Sequence, residues 1–368
     1  MPRLSMTRSL TLWANGVRVG QWQVSARGTD SLVYDPNWAA CQQGRPLSLS
    51  LPFALNNAPL MGPAVYNYFD NLLPDSDAIR RRLQARFHTL NGAAFELLAA
   101  IGRDCVGAIQ LLPDGQPPDD VFSIQAQALT EADIAKILRA TTVSPAALGQ
   151  NDALDDDFRI SIAGGQEKTA LLWNQGKWCR PLGATPTTHI FKLPLGLAGN
   201  RQADMRTSVE NEWLCSKILQ LFGLPVATCE IAQFEEQKVL IIERFDRRLS
   251  GQGYWLRLPQ EDFCQSTGTP PGAKYESDGG PGLMDIARIL QQSESREQDL
   301  RALLKAQLLF WLMAATDGHA KNFSIFLLPG GRYRLTPLYD VLSAWPVTGR
   351  GANQIDANSL RLAMAVKG

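Results

Sequence analysis

The sequence predicts an α+β protein of two lobes, with an extra β-rich subdomain at the N-terminus and a mainly helical C-lobe. Three observations carry the prediction. Near the start, Leu10 to Ala14 and Val17 to Trp22 flank Asn15-Gly16, a dipeptide suited to a type I′ turn, so the chain opens on a hairpin. In the middle, residues 158–172 read as strand, Gly164-Gly165 turn, strand, and apolar strands recur at 188–193 and 239–242. Towards the end, Leu300, Leu303, Leu304, Leu308, Trp311, Leu312 and Ala315 recur at helical spacing, and the pattern stops at Thr316-Asp317-Gly318.

Composition sets the limits. A chain of 368 residues with 45% hydrophobic content can bury a sizeable core. Lys and Arg balance Asp and Glu at 36 each, so no global field favours nucleic acid or an anionic membrane, and any DNA contact would be a local patch. With no leader-like segment and no apolar run long enough to cross a bilayer, a cytoplasmic protein without a membrane partner is expected. Cys41, Cys105, Cys179, Cys215, Cys229 and Cys264 are scattered without a Cys-x-x-Cys pair; they read as reduced, suggesting neither zinc nor a disulfide framework.

Taken in order, Leu47 to Pro52 alternates as a strand would, and residues 63–73 look helical and core-facing. Arg80, Arg81, Arg82 and Arg86 read as a solvated helix face, with a partner or nucleic-acid contact as the alternative. The segment 113–120, with Gly115, Pro117 and Pro118, is the linker candidate. It separates a β-rich subdomain (1–118) from an N-lobe (119–255), and a helical C-lobe (256–368) completes the chain. A short helix is expected at 130–140, and an acidic stretch with Asp152, Asp155, Asp156 and Asp157 follows it. A second helix at 207–222 is stopped by Gly223 and Pro225. Residues 258–282 are rich in Gly, Pro, Ser and Asp, with Tyr275 to Gly280 read as a long loop between the hinge and the C-terminal helix. After the C-terminal helix, 323–328 and 332–335 form a hairpin around Pro329-Gly330-Gly331 and deliver Tyr339-Asp340 beside the loop that starts at Asp317.

The chemical content lies in Asp317, Asn322 and Asp340. Phosphoryl transfer needs a carboxylate to position and deprotonate a hydroxyl, and hard oxygen ligands for Mg²⁺ on ATP phosphates. Asp-x-x-x-x-Asn, a hairpin, then Asp is the order of a protein kinase catalytic loop and its metal-binding Asp, with Ala-Thr-Asp for His-Arg-Asp and Tyr-Asp-Val for Asp-Phe-Gly. A turn and its cap would explain any one of these residues; it does not explain all three in this order. The Gly164-Gly165 turn sits where a glycine-rich loop covers nucleotide phosphates. Lys192 follows on a strand, where a kinase keeps its phosphate-binding lysine. Glu210 or Glu212 could pair with it, and spacing does not choose between them. Glu243 to Phe245 falls at the hinge, where backbone groups would meet adenine. The fold is thus expected to be protein-kinase-like.

Several stretches are more specific than kinase order. Ser161-Ile162-Ala163-Gly164-Gly165-Gln166-Glu167-Lys168-Thr169-Ala170, Thr188 to Pro194, Glu243-Arg244-Phe245-Asp246-Arg247-Arg248, Lys274-Tyr275-Glu276-Ser277-Asp278-Gly279-Gly280, Thr316 to Phe323 and Leu338-Tyr339-Asp340-Val341-Leu342-Ser343 closely resemble the HipA family of serine/threonine kinase toxins. In the N-terminal part, Pro46 to Pro52, Phe69 to Asp75 and Ile101-Gly102-Arg103-Asp104 do so too. The resemblance implies Asp317 as catalytic base, Asn322 and Asp340 as magnesium ligands, and Lys192 on the ATP phosphates. It implies Ala163, Gly164, Gly165, Gln166, Glu167 and Lys168 as the phosphate loop, and Glu243, Arg244 and Phe245 around adenine. His319, Ala320, Lys321, Asn322 and Tyr339 would border the nucleotide. Ser161 matches the family's autophosphorylated serine, whose modification silences the enzyme.

Further implications concern partners: an aminoacyl-tRNA synthetase substrate, most often glutamyl-tRNA synthetase; a HipB-like helix-turn-helix antitoxin; and operator DNA reached mainly through that antitoxin. Relatives of this kind usually carry further C-terminal helices, so exposed apolar surface is expected on a C-lobe that ends at Lys367-Gly368. A catalytically silent antitoxin-binding co-repressor is the alternative reading.

Overall fold

The computed structural model describes residues 7–142, 161–199 and 202–366. The acidic stretch and the start of the strand expected before the Gly164-Gly165 turn lie outside them; the rest of that expected strand, residues 161–163, is irregular.

Asn15 and Gly16 both take positive φ, 48° and 82°, as a type I′ turn requires, and Ala14 pairs with Val17 across it. This hairpin (Arg8–Ala14, Val17–Val24) forms the centre of a five-stranded antiparallel sheet, flanked by Asp30–Tyr34 and Leu60–Met61 on one side and Ile109–Pro113 on the other. The helices Pro63–Asp70 and Ala94–Ile101 cover one face, where Trp22 stacks on Phe69 with ring centroids 4.1 Å apart and meets Phe95 edge-on. The helix expected at 63–73 stops at Asp70. Residues 71–75 then run as an irregular strut that reaches the other parts of the chain.

Leu47 to Leu51 is not a strand. Leu47 and Leu51 are buried in the N-terminal core, whereas Leu49 packs against the C-terminal one. Between them, Ser48 and Ser50 Oγ donate to Gln265 O, and Glu261 Oε1 accepts from Leu49 N–H. The alternation records a segment buried on both sides between two cores, which imitates a strand's period of two.

The second sheet has six antiparallel strands in the order Cys229–Phe234, Gln237–Glu243, His189–Lys192, Lys168–Asn174, Lys177–Pro181, Ala126–Ala128. Its register sets Lys192 directly opposite Lys168 on one side and Leu240 on the other. Cross-strand partners share a face, so the two lysines stand side by side. Helix Glu131–Thr142 packs Ile134, Ala135 and Leu138 against the sheet, and helix Ser208–Leu221 lies on it through Val209.

In the C-lobe, helix Arg296–Met313 buries Leu303, Ala306, Phe310 and Met313. Its apolar series is wider than the buried face: Leu304, Leu308, Trp311 and Leu312 point outward, with Trp311 65% exposed. The Gly-, Pro-, Ser- and Asp-rich stretch 258–282 contains strand Gln260–Asp262 and helix Phe263–Thr267, the latter started by a capping box between Asp262 and Gln265. That strand pairs with the predicted hairpin, here Ser324–Leu327 and Tyr333–Leu335.

A buried charge cluster ties the N-terminal sheet unit to the hinge. The Asp104 carboxylate accepts from Arg247 at 2.9 Å, Arg244 at 3.3 Å, Arg257 at 3.4 Å and Thr187 Oγ1 at 2.6 Å, while Asp246 accepts from Arg244 and from Gly107 N–H. These side chains are 7% exposed or less. Burial alone would raise the carboxyl of Asp104; Arg247, Arg244 and Arg257 outweigh it and hold the group well below the usual carboxylate range.

Candidate active site

The site forms where the second sheet meets the loop that follows helix Arg296–Met313. Lys192 Nζ donates to Glu212 at 2.7 Å and to Asp340 at 2.6 Å, with the lysine and Glu212 side chains 6% and 3% exposed. Glu210 turns outward to Lys238, which decides the choice that helical spacing left open. Burial would lower the ammonium of Lys192, but Asp340 and then Glu212 outweigh it, so it stays charged. Asp340 is likewise pushed up by burial and drawn down further by Lys192 and Lys168, ending well below the usual carboxylate range.

Asp340 has φ +59°, a left-handed conformation that a short polar side chain tolerates. Its backbone carbonyl accepts from Asn322 Nδ2 at 2.9 Å, which leaves the amide oxygen of Asn322 for another partner. Asp317 lies at the start of the same loop. Gly318 is demanded beside it, since a Cβ there would come 2.6 Å from the Phe310 ring. His319 N–H bonds back to Asp317 O, and its ring, buried and lowered in pKa by that burial, packs edge-on against Tyr275 at 5.0 Å.

The predicted phosphate loop is docked on the N-terminal unit. Ser161 is fully buried; its N–H donates to Asp104 O and its Oγ to Leu72 O at 2.8 Å. Asp75 N–H bonds Gly164 O, and Glu167 pairs with Arg82. Gly164 has φ +108°, and a Cβ there would crowd Lys168 Nζ, which donates to Ala163 O at 2.7 Å. Gln166 Nε2 reaches Leu193 O, closing the loop onto the lysine strand. Burial and the charge of Lys192 bring Lys168 down to about 8.

Other predicted site residues are engaged elsewhere. Arg244 is buried in the Asp104 cluster, and its N–H bonds Thr188 O, so the hinge presents Phe245 rather than the arginine. Phe245 sits in an aromatic group with Tyr339 and Phe326, both at 5.7 Å. Lys321 points away from the cleft, donating to Asn71 Oδ1 at 2.7 Å and to Asp262 at 3.1 Å. Its carbonyl accepts from Tyr339 Oη. Ala320 is buried, and Glu243 is exposed at the end of its strand.

Sequence reasoning missed Tyr275, Asp75 and Arg82 as parts of the site. Tyr275 Oη donates to Asp317 Oδ1 at 2.5 Å, and Asp75 accepts from Lys274 at 2.9 Å. Of the arginine run, Arg80 pairs with Asp70 and Arg82 with Glu167, so these two form internal joints and not a solvated face. Tyr275 was visible within a family motif; the long-range pairs left no local signal.

A lysine paired with a helix glutamate, a glycine turn above it, and Asp-x-x-x-x-Asn followed by Asp below it define the class as a protein kinase, on a two-lobed α+β fold with a β-rich N-terminal addition. Comparison with known proteins gives the particular group. The HipA-like C-terminal domain matches residues 160–368, and the HipA N-terminal domain matches 10–112. The Sinorhizobium fredii protein Y4mE is 34% identical over 341 residues, covering 91% of this chain and 77% of its own length. The serine/threonine-protein kinase toxin HipA of Shewanella oneidensis is 28% identical over 359 residues, covering 92% and 75%. The solved complex of Shewanella oneidensis HipA with HipB and operator DNA superposes with a TM-score of 0.76 at 25% identity, over 97% of this chain and 79% of that one. The chain belongs to the HipA family and is a serine/threonine protein kinase. Among the described residues no helix is long and apolar enough to cross a membrane.

Proposed function

We propose that the chain is the toxin kinase of a HipBA-type system, transferring the γ-phosphoryl group of ATP to serine or threonine with Mg²⁺. The observation that carries this is Lys192, held at once by Glu212 and Asp340 in the assembled arrangement of a working kinase. The amide oxygen of Asn322 and the carboxylate of Asp340 suit Mg²⁺, which takes few protein oxygens and completes its shell with phosphates and water. The metal, when bound, would neutralise charge on the phosphates. Lys192 and the loop 163–168 would orient those phosphates, Phe245 and Tyr339 would pack near the base, and Asp317 would accept the proton of the attacking hydroxyl.

Kinship supports the partners: a HipB-like antitoxin, operator DNA reached mainly through it, and an aminoacyl-tRNA synthetase as substrate, glutamyl-tRNA synthetase first, in the cytoplasm. Autophosphorylation at Ser161 would end activity. Its hydroxyl is buried against Leu72 O, so a phosphate there must break the docking of the loop on the N-terminal unit. The test is peptide mass spectrometry after phosphatase treatment and incubation with Mg-ATP. Phosphate is expected on Ser161 in the wild type and not in Asp317→Ala; equal labelling of both would exclude Asp317 as the base.

Lys168 adds a pH dependence. It is protonated below about 8 and neutral above, so nucleotide affinity should fall as pH rises through that value. Titration calorimetry should show a loss of up to about tenfold, the worth of one charge-assisted hydrogen bond. Lys168→Met should bind more weakly at neutral pH with a flat profile, and an unchanged slope would remove Lys168 from the phosphates.

A further inference from the structure

Tyr275 occupies one oxygen of Asp317, where an acceptor hydroxyl could stand. Its hydroxyl donates to Asp317 Oδ1 at 2.5 Å, the relation in which a serine hydroxyl would stand to the base before attack. The ring is braced on two sides, edge-on to His319 at 5.0 Å and beneath the ammonium of Lys274 at 5.6 Å. Lys274 is itself anchored on Asp75 of the N-terminal strut. On the C-terminal side, Glu276 N–H bonds Ala363 O and its carboxylate accepts from Ala365 N–H. The segment is thus fixed at both ends, while the phenol tip stays partly open to solvent. Burial, and after it the nearby Asp317 carboxylate, raise the phenol well above its ordinary value, so it remains a donor.

We propose that Tyr275 is a gate on the Oδ1 of the catalytic carboxylate: it holds the place of the acceptor hydroxyl and keeps water from that oxygen, the other staying open to solvent, until a protein serine or threonine displaces the phenol. The proposal rests on the reading of Asp317 as the base. The suppressed reaction is hydrolysis: a water oxygen forms a bond to the γ-phosphorus, the bond from that phosphorus to the β,γ-bridging oxygen breaks, ADP departs, and the water proton passes to Asp317. A water hydrogen-bonded to Asp317 Oδ1, the oxygen on the side of the bound acceptor, would be poised for this step; with the phenol in place, Oδ1 is already engaged. The gate explains how a kinase whose lysine–glutamate pair is already formed avoids spending ATP while waiting for its protein substrate.

The experiment uses the phosphatase-treated full chain with Mg-ATP and no added acceptor, measuring the initial rate of inorganic phosphate release before Ser161 is labelled, with nucleotide affinity and thermal unfolding alongside. Tyr275→Phe keeps the ring and its contacts with His319 and Lys274 and removes only the hydroxyl. Phosphate release is expected to rise about tenfold, the scale of one hydrogen bond to a charged group, with ADP affinity unchanged. Tyr275→Leu should give the same rise, which guards against an effect peculiar to one side chain. Release equal to or below that of the wild type in a folded Tyr275→Phe protein overturns the gate and makes the phenol a supporting group. Phosphotyrosine at position 275 in the wild type also overturns it, since the phenol would then be an acceptor. Asp317→Ala combined with Tyr275→Phe separates the two layers. If the rise disappears, both stand; if release persists at the raised level, Asp317 is not the base and the gate falls with it.

Discussion

Replacing Asp340 by Asn should lower phosphoryl transfer by about a thousandfold while the chain stays folded, an effect of about 4 kcal/mol on the barrier. The substitution removes a carboxylate that serves Lys192 and supplies a metal oxygen. It leaves Glu212 on the lysine, so no buried ammonium is stranded. Asn also accepts the left-handed backbone at this position as readily as Asp, which separates chemistry from strain. Single-turnover transfer of labelled phosphate, with thermal unfolding alongside, checks this. A rate within tenfold of the wild type would show that Asp340 only positions Lys192.

Asp104→Ala should cost about 3–5 kcal/mol of stability, because three buried guanidinium groups lose the carboxylate they share. Arg257 is the most exposed to this loss, since Arg244 keeps Asp246 on two of its nitrogens and Arg247 keeps both an ion pair with Asp246 and the carbonyls of Gly107 and Cys105. The same change should loosen the hinge, whose Arg244 and Asp246 close the cluster from the kinase side, and so weaken nucleotide binding as well as fold. Urea denaturation with and without ADP reads both. A loss below about 1 kcal/mol would mean that Asp246 and water can satisfy the arginines without Asp104.

What could be read in the sequence, and what could not, divides by range. Asn15-Gly16 set its hairpin because a type I′ turn is a local demand for two positive φ angles. Lys192, Asp317, Asn322 and Asp340 are singled out by order along the chain, and the fold brings Lys192, Asn322 and Asp340 into one bonded group. Glu212 was half legible: spacing put it and Glu210 in the same turns, and only the path of the helix across the sheet decided which faced inward. The alternation at Leu47 to Leu51 misled because two cores can bury one segment as a sheet does. The docking of the phosphate loop was invisible, since Arg82 with Glu167 and Ser161 with Leu72 join residues far apart in the chain whose meeting depends on the finished fold. Lys321 shows the converse: a residue inside the catalytic motif spends its charge on Asn71 and Asp262.

The strut at residues 71–75 bears on how the protein comes to exist at all. It belongs to a unit that has its own sheet and aromatic core, and that is synthesised before the phosphate loop, Lys192 and the catalytic loop. That unit can collapse early, presenting Leu72 O, Asp75 and Asn71 as finished surfaces on which Ser161, Gly164 and Lys321 later settle. The nascent kinase segment therefore matures against a template from its own N-terminus. ATP-binding competence should arise late and all at once, and a ribosome-stalled chain lacking Lys321 should present the template without a working enzyme.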